Sequence, residues 1–246
     1  MKILGIDVGG SGIKGAIVDT DLGELVTEKF RLKTPRPAKP EAVAKVVHQI
    51  VDHFNWKGKV GVGFPTPLAH GKCMSGGNLH KKWKGVQVDQ LFSETTGLEF
   101  TVINDADAAG EAEMHYGAGQ GKMGLVAVIT LGTGIGSGLF YDGMLIPNTE
   151  LGHTVFKGEA FEKFAADSIR KKEDLTYKQW GKRLNKYFKR IELILSPDLF
   201  IIGGGASSKM DKFVDQIEIR SPIIPAENKN EAGIIGAAVG AFDKVH

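Results

Sequence analysis

The stretch LGIDVGGSGIKGA, residues 4–16, restricts the fold more than any other part of the chain. An apolar run reaches Asp7, glycines 9, 10 and 12 surround Ser11, and Lys14 follows as a second apolar run begins. Glycines permit backbone conformations closed to other residues, so consecutive amides here can converge on an anion. Lys14 adds a mobile positive charge. Asp7 would repel a phosphate unless Mg²⁺ bridged carboxylate and phosphate. A plain hairpin with a tight turn would ask for the same glycines. A second stretch, LGTGIGSG at 131–138, repeats the arrangement, with Thr133 between Gly132 and Gly134 able to donate its hydroxyl to a phosphate oxygen. Two such hairpins suggest one phosphate gripped from two lobes. A third loop, IIGGGAS, sets Gly204 and Gly205 between a strand-like run and an expected helix start, which would offer amides and a helix N-terminus to an anion.

Periodicity extends the two hairpins into an α/β architecture. Strand-like runs at 2–7, 12–19 and 25–32 form an opening meander, and 41–54 carries apolar residues at helical spacing. A buried strand KVGVGFP, a short helix at 88–95, a strand FTVIND and a helix at 105–116 follow, then the strands GLVAVITL and GSGLFYDG. The pattern predicts a helix over 178–195, with Trp180, Leu184, Tyr187, Phe188, Ile191, Ile194 and Leu195 at helical intervals. The last expected helix, 231–242, is rich in small residues that allow close backbone packing. Two lobes are expected: 1–108, completed by 231–246, and 109–230. The net charge of +2, from 31 basic and 29 acidic residues, gives no overall field for nucleic acid or membrane. One cysteine, Cys73, can form neither an internal disulfide nor a thiolate zinc cluster. Met1 and Lys2 lead straight into a strand, and no apolar run approaches a membrane span, so a cytoplasmic protein is expected.

The chemistry centres on VINDADAAGEAEMHYG, where Asn104 and Asp105 stand at a strand-to-helix transition. A carboxylate there is preorganised to take the proton of a hydroxyl as that oxygen bonds to phosphorus, though Asp105 could equally cap the helix. Glu150 and His153, in NTELGHTVF, are close enough in sequence to line one pocket. No cysteine cluster follows His153, so no structural zinc is expected. Asn78, in SGGNLHKKW, is a further candidate for a polyhydroxyl ligand, with Lys81, Lys82 and Lys84 nearby.

Taken in order, Asp7, the stretch Gly9–Gly12, Lys14, Asn104 and Asp105, LGTGIGSG, ELGH and IIGGGAS resemble the ROK sugar kinases over nearly the whole chain. Within that family DVGGSGIKGAIVD, NDADAAGEAEMHYGAG, KRLNKYFKRIELILSPDLFIIGGGAS and NEAGIIGAA are most similar to bacterial polyphosphate glucokinases, which also lack the family's cysteine-rich zinc motif. The resemblance implies a two-lobed actin/hexokinase-like (ribonuclease H-like) α/β fold with a cleft between lobes. It implies transfer of the terminal phosphoryl group of inorganic polyphosphate, or of ATP, to the 6-hydroxyl of glucose. Asp105 would be the general base, and Asn78, Asn104, Glu150 and His153 would hold the sugar. Gly9, Gly10, Ser11, Gly12, Lys14, Gly132, Thr133, Gly134, Gly204 and Gly205 would cradle the donor phosphates, with Mg²⁺ near Asp7. Glu159 and Glu162 lie near the place of a further sugar-binding acid. A polyanionic donor should need a basic track, for which the helix from Lys178 and HKKWK supply cations. A homodimer is implied. The alternatives are an ATP-dependent hexokinase or mannokinase and a non-catalytic sugar sensor.

Overall fold

In the computed structural model the described residues are 1–76, 79–228 and 231–243, with the side chains of 242 and 243 left aside. The chain divides into two units, Met1–Ala112 with Glu231–His246 and Glu113–Asn230. In the first, β1 (Lys2–Val8) turns back into β2 (Gly12–Asp19), followed by β3 (Glu24–Leu25) and β4 (Phe30–Lys33). β1 is buried along almost its whole length, as a strand flanked on both sides requires. Its second neighbour is the parallel, fully buried β5 (Val60–Phe64).

The expected strand over 25–32 is interrupted. Ile17 donates its amide to the Thr27 hydroxyl at 3.0 Å, so a side chain takes the place of the backbone carbonyl that would have continued the ladder. Pairing with β2 resumes at β4, which sets Lys14 opposite Arg31 and Gly12 opposite Lys33.

Helix α1 (Pro40–His53) starts with proline at its first position, where the missing amide hydrogen costs nothing, and buries Val43, Val47, Ile50 and Val51. A small hairpin, β6 (Leu68–Ala69) and β7 (Lys72–Cys73), precedes α2 (Val88–Thr96), which ends at Gly97 in the left-handed region. Next come β8 (Phe100–Asn104) and α3 (Asp105–Tyr116). The sheet order is β3-β2-β1-β5-β8, with β4 also on β2.

The second unit repeats the hairpin with β9 (Leu125–Leu131), β10 (Ile135–Tyr141) and β11 (Met144–Ile146). Short β12 (Val155–Phe156) and β13 (Glu159–Ala160) lead to α4 (Glu162–Ala165), α5 (Asp167–Lys172) and α6 (Tyr177–Leu195). A Thr176–Gln179 capping box starts α6. It buries Trp180, Leu184, Tyr187, Phe188 and Ile191, which together contribute on the order of 10 kcal/mol of apolar burial. Ile194, expected on that face, is 55% exposed, whereas Leu195 beside it packs against the core. β14 (Leu199–Gly203) and β15 (Ile223–Pro225) complete a five-stranded sheet in the order β11-β10-β9-β14-β15.

Helix α7 (Ala232–Asp243) belongs to the first unit. Its small residues permit unusually close packing: a Cβ on Gly61 of β5 would fall on the Ala237 carbonyl, and one on Gly236 on that of Ala108 in α3. Among the described residues no helix is long and apolar enough to cross a membrane.

Candidate active site

The parallel strands β1, β5 and β8 end together in the first unit. Asp7 is in register with Gly63, and Gly63 with Ile103, two residues before Asp105. With about 4.8 Å between neighbouring strands, this brings both acids to one carboxyl-end edge, where open α/β sheets bind ligands.

Asp7 pairs with Lys14 across the hairpin, Oδ2 to Nζ at 3.1 Å. The turn between them is held by the Gly9 amide on the Gly12 carbonyl and by the Thr34 hydroxyl on the Gly9 carbonyl. Arg31 donates to the Ser11 carbonyl at 3.3 Å and lies over Gly12, where any Cβ would strike its guanidinium. Gly9, Gly10 and Gly12 do not take the left-handed backbone that the sequence suggested for them. At Gly9 and Gly12 the lack of a side chain serves close approach. Gly10 and Ser11 are exposed at the tip. Arg31 is a cation that the sequence did not reveal, because its register depends on the interruption at Thr27.

At the end of β8 the two readings of the Asn-Asp pair separate. The Asn104 side-chain oxygen accepts the amides of Ala106 at 2.8 Å and Asp107 at 3.2 Å, so Asn104 caps α3. Asp105 is the first residue of the helix, and the cap is its neighbour. Asn104 is buried, with its oxygen committed; its amide nitrogen is the part able to donate to a hydroxyl.

In the second unit the turn joining β9 and β10 is clasped from α4 and α5. The Ser168 amide and hydroxyl donate to the carbonyls of Gly132 and Thr133, and Ile135 donates its amide to Glu162. A Cβ on Gly134 would collide with that same carboxylate. The third glycine loop lies alongside, since Gly203 is in register with Thr130. Gly204 needs glycine twice, for its φ of +76° and for its approach to the Leu131 backbone. The expected α-helix after it is a 3-10 segment, Ser207–Lys212: Ser207 folds back onto the Gly204 carbonyl, and Lys209 leaves helical geometry at φ −123°. The loop therefore offers its own amides and no α-helical N-terminus.

Ser137 of β10 donates its hydroxyl to the Thr149 carbonyl and accepts the Leu151 amide, fixing the segment that carries Glu150. Gly152 lies against the Ile135 carbonyl, with no space for a Cβ. Glu150 Oε2 meets His153 Nδ1 at 3.0 Å, and Glu162 approaches His153 Nε2 at 3.7 Å. Burial raises the Glu150 carboxyl above its usual range; His153 opposes this by charge and hydrogen bond, and Glu162 reinforces it. Glu162 is thus drawn into the Glu150–His153 group, whereas Glu159 is exposed in the small hairpin. Only three-dimensional convergence separates the two glutamates.

Asn78 lies outside the described residues. Lys81, Lys82 and Lys84 are exposed around a buried Trp83, whose indole donates to the Ala38 carbonyl. Cys73 is buried, and burial pushes its thiol up to about 12, which leaves it unreactive. Among the described residues no group of three or more His, Cys, Asp or Glu forms a metal set. A lone partly exposed carboxylate such as Asp7 fits Mg²⁺ nonetheless, since that ion uses one or two protein carboxylates and takes its other ligands from phosphates and water.

The sequence pattern of the ROK family matches residues 3–168. A polyphosphate glucokinase of Mycobacterium tuberculosis (strain CDC 1551 / Oshkosh) is 48% identical over 98% of this chain and 92% of its own length. That of Mycobacterium leprae is 43% identical over 96% of this chain and 74% of its own. Among solved structures, an inorganic polyphosphate/ATP-glucomannokinase from Arthrobacter sp. strain KM has a TM-score of 0.94 at 44% identity, covering 99% of both chains. A ROK family glucokinase from Streptomyces griseus, in complex with glucose and AMPPNP, shares the fold with a TM-score of 0.84 at 21% identity, over 99% of this chain and 100% of its own. The architecture is accordingly the actin/hexokinase-like ATPase fold, and this chain belongs to the ROK family.

Proposed function

We propose that the protein is a polyphosphate glucokinase: it transfers the terminal phosphoryl group of inorganic polyphosphate, and of ATP, to the 6-hydroxyl of glucose. The observation that carries this reading is the 48% identity to a polyphosphate glucokinase across nearly both whole chains. The arrangement of the acids supports it. Asp105 stands at the carboxyl edge of the sheet with the capping duty taken by Asn104. In the reaction it accepts the hydroxyl proton as the sugar oxygen bonds to phosphorus, while the bridging bond of the donor breaks and its electrons leave with a chain one phosphate shorter. Asn78, the Asn104 amide, Glu150, His153 and Glu162 hold sugar hydroxyls, the carboxylates as acceptors.

The amides of Gly9, Gly10, Ser11 and Gly12, with Lys14, and those of Gly132, Thr133, Gly134, Gly204 and Gly205 bind donor phosphates. Asp7 would hold Mg²⁺, which when bound supplies neutralising charge on the donor phosphates. The reading extends to a cytoplasmic homodimer. Incubation with Mg²⁺, glucose and either polyphosphate or ATP, with glucose 6-phosphate measured, tests it: product from polyphosphate supports the reading, and product from ATP alone removes the polyphosphate donor.

A further inference from the structure

Residues 163–190 hold ten basic and three acidic side chains, in a chain whose net charge is only +2. Two of the three acids are already engaged: Asp167 pairs with Arg170 and Lys171, both at 2.7 Å, and Glu173 with Arg183. The surplus is therefore positive, and part of it lies beside the two glycine loops of this unit. Helix α5 starts at the β9–β10 turn, where Ser168 clasps Gly132 and Thr133, and runs into Arg170, Lys171 and Lys172. The 3-10 segment Ser207–Lys212 starts at the third glycine loop, where Ser207 bonds back to Gly204, and ends in Lys212.

The two basic segments converge on a single ring. Arg170 lies 4.6 Å and Lys212 5.5 Å from the centre of Tyr177, so the two cations are at most about 10 Å apart, one Debye length at 0.1 M salt. Lys178, the next residue after Tyr177 on α6, is exposed, as are Lys172 and Lys212. Like charges held this close to two glycine loops favour a polyanion that continues past the loops.

We infer that Tyr177, with Lys212 against its ring and the exposed Lys172 and Lys178 close to it in sequence, marks a distal subsite for the non-reacting phosphates of a long polyphosphate, beyond the reach of a nucleoside triphosphate. This inference rests on the proposed function. It differs from the basic helix face expected from sequence in being centred on the start of α6 and in drawing Lys212 from another part of the chain.

The test is the triple variant Lys172→Gln, Lys178→Gln, Lys212→Gln of the full chain, assayed beside the unsubstituted protein with long-chain polyphosphate, tripolyphosphate and ATP over a range of salt concentrations. The expected result is a roughly tenfold or larger loss of kcat/KM for the long chain, a shallower salt dependence for that donor, and unchanged values for ATP, tripolyphosphate and glucose. An equal loss with all three donors, or no loss with any, would overturn the subsite. An unsubstituted protein that makes product from ATP and none from polyphosphate would instead overturn the donor assignment itself, and the subsite with it.

Discussion

Gly233 makes room for the Asp7 carboxylate: a methyl group at that position of α7 would stand 2.9 Å from Asp7 Oδ2. The acid that pairs with Lys14 is therefore confined from the helix side as well. Gly233→Ala should displace Asp7 and raise KM for the phosphoryl donor about tenfold, the equivalent of about 1.4 kcal/mol, while KM for glucose stays put. Steady-state kinetics with each substrate varied in turn would show it, and an unaltered donor KM would remove Asp7 from the donor site.

Because Asn104 carries the cap, Asp105 can be altered without unravelling α3. Asp105→Asn should lower kcat by roughly a hundredfold to ten-thousandfold and leave glucose affinity, measured by calorimetry, nearly intact. Asn104→Ala should behave differently, costing about 1 kcal/mol of stability along with activity, and Asn104→Asp should restore the stability because aspartate caps as well as asparagine. Normal turnover in Asp105→Asn would end its assignment as the base.

In the proposed sugar site, Glu150 would link binding to pH. Burial raises its folded-state pKa above the ordinary 4.5, so its contribution to stability is present in acid and is lost as the pH rises through the folded value. Glu150→Gln should consequently melt higher at neutral pH, by about 2 °C for a modest gain in a chain of this size, with the advantage vanishing in acid. The same variant should bind glucose more weakly. A lower melting point at neutral pH would contradict the assigned direction.

Asp167 has the opposite sign. Burial works to raise its carboxyl, and the hydrogen bonds and charges of Lys171 and Arg170 outweigh that, leaving it below the ordinary 3.8. Its stabilisation holds above that value and is lost as the pH falls through the folded one. Asp167→Asn should cost about 2 kcal/mol in denaturant titrations at pH 7, and the difference should close in strong acid.

Both glycine hairpins were legible in the sequence, because apolar runs on either side of clustered glycines leave few alternatives. Helix α6 was legible from its apolar spacing, apart from Ile194. The break at Thr27 was not, because a hydroxyl replacing a carbonyl leaves no trace in hydrophobic patterning. For the same reason Arg31 stayed hidden. The Asn104–Asp105 pair was ambiguous for a different cause: both residue types cap helices, and only the hydrogen bonds to Ala106 and Asp107 assign the duty. Glu162 needed the folded β9–β10 turn to be distinguished from Glu159.

The position of α7 sets an order of assembly. Gly5 and Gly61 lie in central strands made before residues 113–230, yet the helix that covers them is made only after all of those residues. The intervening unit can mature while the nascent N-terminal sheet still shows an uncovered apolar face, which reverses the usual N-to-C sequence of domain folding and lengthens the interval in which a chaperone would find a binding site.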